Sequence, residues 1–198
     1  MYHIKSDKRS QTSAILITNA FKKCLEYKDY SEITITDIQR ESTVSRSTFY
    51  RLFDCMDDVV IYLCDKTFEH VIEEFQFSEH KDLYTIALLF VTNWMKEDKI
   101  LQLAISIHRE DILFNCHMKH FEEIHTIVKE NSPNNYFSSY HISFLCSMMV
   151  GTLSTWIKEG KKENPTELVQ CISYVLDDFY HLMTSNKNGA IHPSTPPK

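Results

Sequence analysis

Glycine and proline are scarce in this 198-residue sequence, which contains 3 glycines and 5 prolines. The first proline is Pro133, so two thirds of the chain precedes any proline. Because both residues are unfavourable inside helices, their scarcity favours a mostly helical protein. Hydrophobic residues make up 43% of the sequence and aromatic residues 12%. That content is enough to fill a core, and it excludes a globally disordered chain.

Long hydrophobic runs are also missing. The longest unbroken run is Ile86–Val91, whereas a membrane-spanning helix needs roughly 20 apolar residues. Residues 1–10 lack the apolar region of a secretion signal. The six cysteines form no C-x-x-C pair, and they lie at positions 24, 55, 64, 116, 146 and 171. We therefore expect a cytoplasmic protein with reduced thiols and no contact with a membrane.

The common motifs of catalysis are absent from the sequence. It contains no G-x-S-x-G, no P-loop, no G-x-G-x-x-G and no H-E-x-x-H. Three glycines leave little scope for loops that cradle phosphate groups. We predict that the chain is not an enzyme and needs no cofactor.

Charge is distributed unevenly between the two ends of the chain. Residues 1–55 hold nine Lys or Arg and seven Asp or Glu, a net charge of +2, although the whole chain carries −6. A mildly basic amino-terminal part on an acidic remainder is compatible with an amino-terminal DNA-binding domain.

Two short helices are predicted between residues 36 and 53. Thr36 stands three residues before Gln39, the spacing of a capping box, and predicts a helix from Asp37 to about Ser42. Ser45 is the next candidate N-cap, followed by about two helical turns. A helix, a tight turn and a second helix form a helix-turn-helix.

The second short helix has two contrasting faces. Phe49, Leu52 and Phe53 recur at helical spacing and predict a face that docks on neighbouring helices. Ser47 and Arg51 lie on the opposite side.

Longer helical patterns fill the rest of the chain. They follow residue 57, run over 81–95, 100–107 and 111–129, and continue over 137–157 and 168–183. The segment 81–95 is apolar on most sides, so we expect it to be central and buried. Asn134 and its neighbours mark a break, and Gly160 is a candidate C-cap.

Residues 20–60 resemble the amino-terminal domain of the tetracycline-repressor-like (TetR/AcrR) family of transcriptional regulators. The family pattern IT-x-x-DIA-x-x-AGVS-x-GT-FY-x-x-F is matched at Ile35–Ile38, Val44–Ser45, Thr48–Tyr50 and Phe53. The resemblance is specific over about residues 12–70 and looser beyond them.

This resemblance implies an all-α fold of about nine helices in two domains. Residues 8–55 would form a three-helix DNA-binding domain with the helix-turn-helix, and residues 56–184 a helical bundle for ligand binding and dimerisation. We expect residues 185–198 to be a disordered tail. Thr43 replaces the family's turn glycine, so we expect that turn to differ in detail.

The resemblance also implies which residues contact DNA. The second short helix would lie in the major groove, with hydroxyl groups on phosphate and arginine on base edges or phosphate. Ser45 and Thr36 could instead act only as helix caps. The implied DNA-binding residues are Thr36, Ser45, Arg46, Ser47, Thr48, Tyr50 and Arg51.

The carboxy-terminal domain is expected to hold an effector and to join two copies. Candidate pocket residues are Phe68, Trp94, Phe114, His117, Phe121, Phe144 and Met148. A column of small residues beside an apolar stripe suggests a dimer interface of Ser143, Ser147, Gly151, Thr155, Ile172, Val175 and Phe179.

The implied function is a homodimeric regulator, a repressor more readily than an activator, that binds a pseudo-palindromic DNA operator. A small-molecule effector in the carboxy-terminal domain would release the DNA. Two alternatives stay open: regulation by a protein partner, and metal sensing through Cys116, His117 and His120, whose spacing suits zinc. His117 lies on the apolar stripe of its helix, where a hydrogen-bonded core or pocket histidine is common, and we assign no metal.

Overall fold

The computed structural model describes residues 1–131 and 139–185, and within them it confirms an all-α fold. The break around Asn134 and residues 186–198 of the expected tail lie outside this range. The described residues form nine helices: α1 (Lys8–Cys24), α2 (Ile35–Ser42), α3 (Arg46–Leu52), α4 (Met56–Phe77), α5 (Leu83–Lys96), α6 (Asp98–Ser106), α7 (Glu110–Asn131), α8 (Ser139–Lys158) and α9 (Pro165–Ser185).

Helices α1 to α3, which we call the head, pack around a small apolar core. Phe21 of α1, Ile38 of α2 and Phe49 of α3 are each almost completely buried. One continuous hydrophobic core extends from the head along α4 into the remaining helices. The head is therefore packed directly onto the rest of the molecule.

The amino-terminal segment also joins the head to α4. The backbone N–H of His3 donates a hydrogen bond to the Leu52 carbonyl at 2.8 Å. The Tyr2 hydroxyl donates to Asp65 of α4 at 2.5 Å, and its ring meets the Tyr62 ring edge-on.

Helices α4 to α9, which we call the body, form a bundle. Helix α4 packs on α5 and α7, while α9 packs on α5 and α8 packs on α6 and α7. Gly160 adopts a φ of 88° just after α8, as expected of a C-cap. No helix of the described residues is long and apolar enough to cross a membrane.

Helix α5 is less buried than its sequence predicts. Phe90 and Trp94 in its second half are buried, but Leu83 and Tyr84 at its start are about half exposed. The difference arises because the first half of α5 borders a cavity and its mouth.

Candidate functional site

Helix α3 presents a buried face and an exposed face. Phe49 and Leu52 are each 1% exposed and pack against α1 and α2. The opposite face points to solvent and carries Arg46, Ser47, Tyr50 and Arg51. An α-helix with its side chains is about 10–12 Å across, so α3 fits a major groove about 12 Å wide.

Helix α2 begins two residues earlier than predicted, so Thr36 as its N-cap is wrong. Thr34 is the cap: its hydroxyl accepts from the Asp37 N–H at 3.2 Å, and the Asp37 carboxylate accepts from the Thr34 N–H at 3.0 Å. Asp37 strengthens this capping box because it also binds Lys28 and Arg40, at 2.8 and 3.0 Å. The Lys28 and Thr34 hydrogen bonds hold the pKa of Asp37 well below its usual range. Thr36 is exposed in the first turn.

The turn between α2 and α3 contains a residue in the left-handed backbone conformation, although that residue is not a glycine. Thr43 has φ 60° and ψ 8°, so the residue that replaces the family's turn glycine still has a positive φ. Ser42 holds the turn from inside: its hydroxyl donates to the Ile38 carbonyl at 2.6 Å and accepts from the Val44 N–H at 3.1 Å. Val44 is buried beneath the turn, as its position suggests.

Ser45 is the N-cap of α3, as predicted. Its hydroxyl accepts from the Thr48 N–H at 3.2 Å. The hydroxyls of Ser47 and Thr48 each lie 3.0 Å from it. The three hydroxyls therefore form one cluster at the start of α3, and capping leaves Ser47 exposed to solvent.

Ion pairing in the head leaves particular cations free. Carboxylates lie within 4 Å of Lys22, Lys23, Lys28 and Arg40. Within the described residues, five cations of the head and the segment before it have no such partner: Lys5, Lys8, Arg9, Arg46 and Arg51. The sequence could not reveal this selection, because pairing depends on which side chains the fold brings together.

A cavity of about 210 Å³ lies in the body between α4, α5, α7, α8 and α9. Its walls are almost wholly apolar. His117 projects into it, and the His117 Nε2 atom has no hydrogen-bond partner in the described part of the chain.

Helices α8 and α9 carry several exposed aromatic and apolar side chains. The Phe144 and Phe179 rings stack with their centroids 6.5 Å apart, so the two helices approach each other there. We call this group of exposed side chains the aromatic stripe, and its members, each more than half exposed, are Tyr140, Phe144, Tyr174, Val175, Phe179, Tyr180 and Leu182.

No family model matches the chain. A curated relative, the HTH-type dhaKLM operon transcriptional activator DhaS of Lactococcus lactis, is 21% identical over 157 residues, which cover 77% of this chain and 81% of that protein. Among solved structures, the Listeria innocua protein Lin0861 is 17% identical with a TM-score of 0.73, covering 89% of this chain and 96% of its own.

Two further solved structures carry a family name. The TetR transcriptional regulator from Streptococcus agalactiae has a TM-score of 0.56 at 20% identity, covering 81% of this chain and 90% of that chain. A protein of Syntrophomonas wolfei described as TetR-family has a TM-score of 0.57 at 17% identity, covering 94% and 100%. The chain has a TetR-like fold.

In this TetR-like fold, four of the seven candidate pocket residues line the cavity: Phe68, His117, Phe121 and Met148. Trp94 lies behind Phe68, at 5.9 Å between ring centroids, and Phe114 is outside the lining. Phe144 belongs to the aromatic stripe instead. Helical spacing does not show which apolar faces meet, so it did not predict several other lining residues, among them Ile86, Ala87, Phe90, Cys146, Val169 and Ile172.

The candidate interface residues divide between two environments in the TetR-like body. Ile172 is 7% exposed and lines the cavity of its own chain. Val175 and Phe179 are exposed in the aromatic stripe. The small-residue column also lies on the outward side of α8, with three exposed members, Ser147, Gly151 and Thr155, and the half-buried Ser143.

The candidate metal trio does not converge on a single point. Cys116 and His120 lie near the Asp65 carboxylate, at 3.4 and 3.0 Å, whereas His117 turns to the cavity. Among the described residues, no group of three His, Cys, Asp or Glu side chains is placed to hold a metal ion.

Proposed function

We propose that the chain is a DNA-binding transcriptional regulator whose head, residues 8–55, reads duplex DNA through α3. The exposed face of α3 carries the proposal, because a buried face fixes two unpaired guanidinium groups and several hydroxyls towards solvent. Arginine can form paired hydrogen bonds with guanine or bind phosphate, and hydroxyls suit phosphate oxygens. The proposal requires no catalysis.

Each of the seven candidate DNA-binding residues receives a role in this proposal. Arg46 and Arg51 contact base edges or phosphates, together with Ser47 and Thr48. Tyr50 and Thr36 bind the phosphate backbone, with Ser45 as cap and neighbour. Phosphate contacts position the protein, whereas base contacts provide its sequence preference.

A homodimer is the second part of the proposal. The stacked Phe144 and Phe179 rings join α8 to α9, and exposed members of the small-residue column lie on α8. Exposed apolar side chains on neighbouring helices support an interaction site there. Two copies joined there would present two α3 helices to a pseudo-palindromic operator.

Regulation would operate through the body, residues 56–184. An effector that favours one body conformation shifts DNA affinity by its differential binding energy, about 1–3 kcal/mol. We propose a repressor released by its effector. An activator is the second candidate, because the curated relative from Lactococcus lactis is named a transcriptional activator. In either case a protein partner docking on the body could replace the small molecule.

Selection of bound duplexes from a random DNA pool tests this function. We expect enrichment of an inverted repeat, because a symmetric dimer reads two equivalent half-sites. Binding to the selected duplex should weaken steeply with rising salt. Failure to enrich any duplex at low salt would refute the proposal.

Substitution of Arg46 tests the reading role of α3. Arg46→Ala should weaken binding to the selected duplex by about 1–3 kcal/mol and relax preference at one base position. Fluorescence anisotropy with duplexes mutated at each position measures both effects. Lys158→Ala is the control, since it removes one exposed cation from the body. Unchanged sequence preference in Arg46→Ala would contradict base reading by this side chain.

A further inference from the structure

His117 is the most deeply buried polar group of the cavity. It is 6% exposed, and its ring lies between two aromatic side chains, with centroids 4.4 Å from Phe68 and 4.5 Å from Phe90. The His117 Nδ1 atom lies 2.9 Å from the Leu113 carbonyl oxygen. The Nε2 atom is buried and has no hydrogen-bond partner among the described residues.

The Leu113 carbonyl decides which ring nitrogen carries the proton. A carbonyl oxygen can only accept a hydrogen bond, so the His117 Nδ1 atom must donate. In a neutral imidazole the other nitrogen is then a bare acceptor. Burial, with a smaller contribution from nearby His120, lowers the pKa of His117 to about 3, so the ring is neutral. Within the described part of the chain, the cavity therefore contains an acceptor without a donor.

The remaining walls of the cavity restrict the charge of a ligand. No described side chain of the lining is an Asp, Glu, Lys or Arg. Burial of an unpaired ion in apolar surroundings is strongly unfavourable. Burial also raises the pKa of the Cys146 thiol to about 11, so this lining residue carries no charge. The walls accordingly favour a neutral molecule.

Cavity volume limits the size of that molecule. An engineered apolar cavity of about 150 Å³ binds benzene. The cavity here, at about 210 Å³, has room for one ring and a few additional atoms. Met148 and Met149 in its wall have flexible, polarisable side chains that adapt to the outline of a ligand.

We propose that the cavity binds a small, neutral, mainly apolar molecule whose hydroxyl or N–H group donates a hydrogen bond to the His117 Nε2 atom. A ligand that only accepts hydrogen bonds leaves that nitrogen unsatisfied, and a charged ligand finds no counter-ion. As a statement about regulation, this inference rests on the proposed function. As a statement about binding, it stands on the cavity alone.

Phenol and toluene are a matched pair of probes for this hydrogen bond. They have nearly the same shape, but only phenol has a donor. Their dissociation constants for the full chain are measured by calorimetry, and again for His117→Phe, which keeps an aromatic ring but removes the acceptor. The ratio of phenol affinity to toluene affinity should fall about tenfold in the variant. An unchanged ratio overturns the proposal.

Three further measurements do not depend on the folding of His117→Phe. Nitrogen-15 spectra of the wild-type histidines should show an unprotonated His117 Nε2 that shifts with phenol but not with toluene. A protonated Nε2 would overturn the proposal. Benzoate and benzylammonium, the charged controls, should bind at least tenfold more weakly than phenol, and equal binding would contradict a neutral site. Ala87→Met, which fills the cavity, should weaken phenol and toluene together.

DNA binding separates this inference from the proposed function. If the selected duplex binds but phenol shows no preference linked to His117, the ligand class is wrong and the DNA-binding role survives. If phenol binds through His117 while no duplex is ever selected, the ligand class survives and the proposed regulation fails.

Discussion

Thr43 holds the turn between α2 and α3 in a backbone conformation that ordinarily belongs to glycine. Its φ of 60° places a β-branched side chain in the left-handed region, which costs about 1–2 kcal/mol. The Thr43 hydroxyl donates a hydrogen bond to the Ser42 carbonyl at 2.6 Å, and buried Ser42 and Val44 fix the backbone on either side. Buried residues on both sides of Thr43 therefore hold it in this strained conformation.

Replacing Thr43 by glycine should relieve this strain. We expect Thr43→Gly to raise the free energy of unfolding by about 1 kcal/mol, since the lost strain exceeds the added entropy of the unfolded chain. Urea denaturation measures the change. Thr43→Ala is the matched control: it also removes the hydroxyl but keeps a Cβ, so it should give no gain. A less stable glycine variant would show that the hydroxyl contributes more than the strain costs.

At the scale of elements, Asp65 connects three segments of the chain. Its carboxylate on α4 accepts hydrogen bonds from Tyr2 of the amino-terminal segment and from Lys119 and His120 of α7, at 2.5, 2.6 and 3.0 Å. Burial alone would raise the pKa of Asp65, but the hydrogen bonds from His120, Lys119 and Tyr2 outweigh it and hold the pKa below its usual range. His120 also stacks on Phe68, which lines the cavity.

Neutralising this carboxylate should loosen all three segments. We expect Asp65→Asn to lower the free energy of unfolding by about 3 kcal/mol, the low end for a broken buried pair, because Lys119 is half exposed. Glu69→Gln, which breaks the exposed pair with Lys66 on the same helix, is the control and should cost under about 1 kcal/mol. Equal losses in the two variants would refute a special role for Asp65.

The stability difference between wild type and Asp65→Asn should decrease at acidic pH. The folded-state pKa of Asp65 lies below the unfolded value of about 3.9. The contribution of the Asp65 carboxylate to the free energy of unfolding is therefore complete above about pH 4, and it is lost as the pH falls through the folded-state pKa. Denaturation of wild type and Asp65→Asn from pH 7 to pH 3 should show the stability gap narrowing only at the acidic end. A gap that narrows near neutral pH would point to another group.

Helical spacing and capping residues were sufficient to predict the helices, but not which side chains of different helices contact each other. The predicted helices are present because periodic apolar residues, Ser45 and Gly160 act locally. Thr34 and Thr36 both have cap spacing, and only the contacts of Asp37 with Lys28 and Arg40 decide between them. The Asp65 cluster and the cavity lining depend on residues far apart in the sequence, so a local pattern could not specify them.

At the scale of the whole molecule, Gly151 is a position where the stability of one chain and the proposed dimerisation can be tested separately. It is exposed on α8, and a Cβ built there would meet no atom within 4 Å. A side chain at this position is therefore tolerated by the single chain. Glycine inside a helix costs about 1 kcal/mol relative to a good helix former, so its presence here does not serve the isolated fold.

Gly151→Leu should weaken the proposed dimer and stabilise the dissociated chain. If the small-residue column is the seam of the dimer, the dissociation constant should rise at least tenfold, while the dissociated chain becomes more stable by up to about 1 kcal/mol. Sedimentation over a concentration series measures the first, and denaturation at high dilution the second. Gly151→Ala is the control and should largely preserve the dimer. An undisturbed dimer in the leucine variant would place the seam elsewhere.

Helix α9 borders the cavity along its first half and is exposed along its second half. Val169, Ile172 and Leu176 line the cavity. Phe179 lies two turns beyond Ile172 on the same side of the helix, where it is 54% exposed. In the proposed dimer, a ligand that displaces the cavity wall would therefore also displace the exposed end of the same helix, where the second copy would bind.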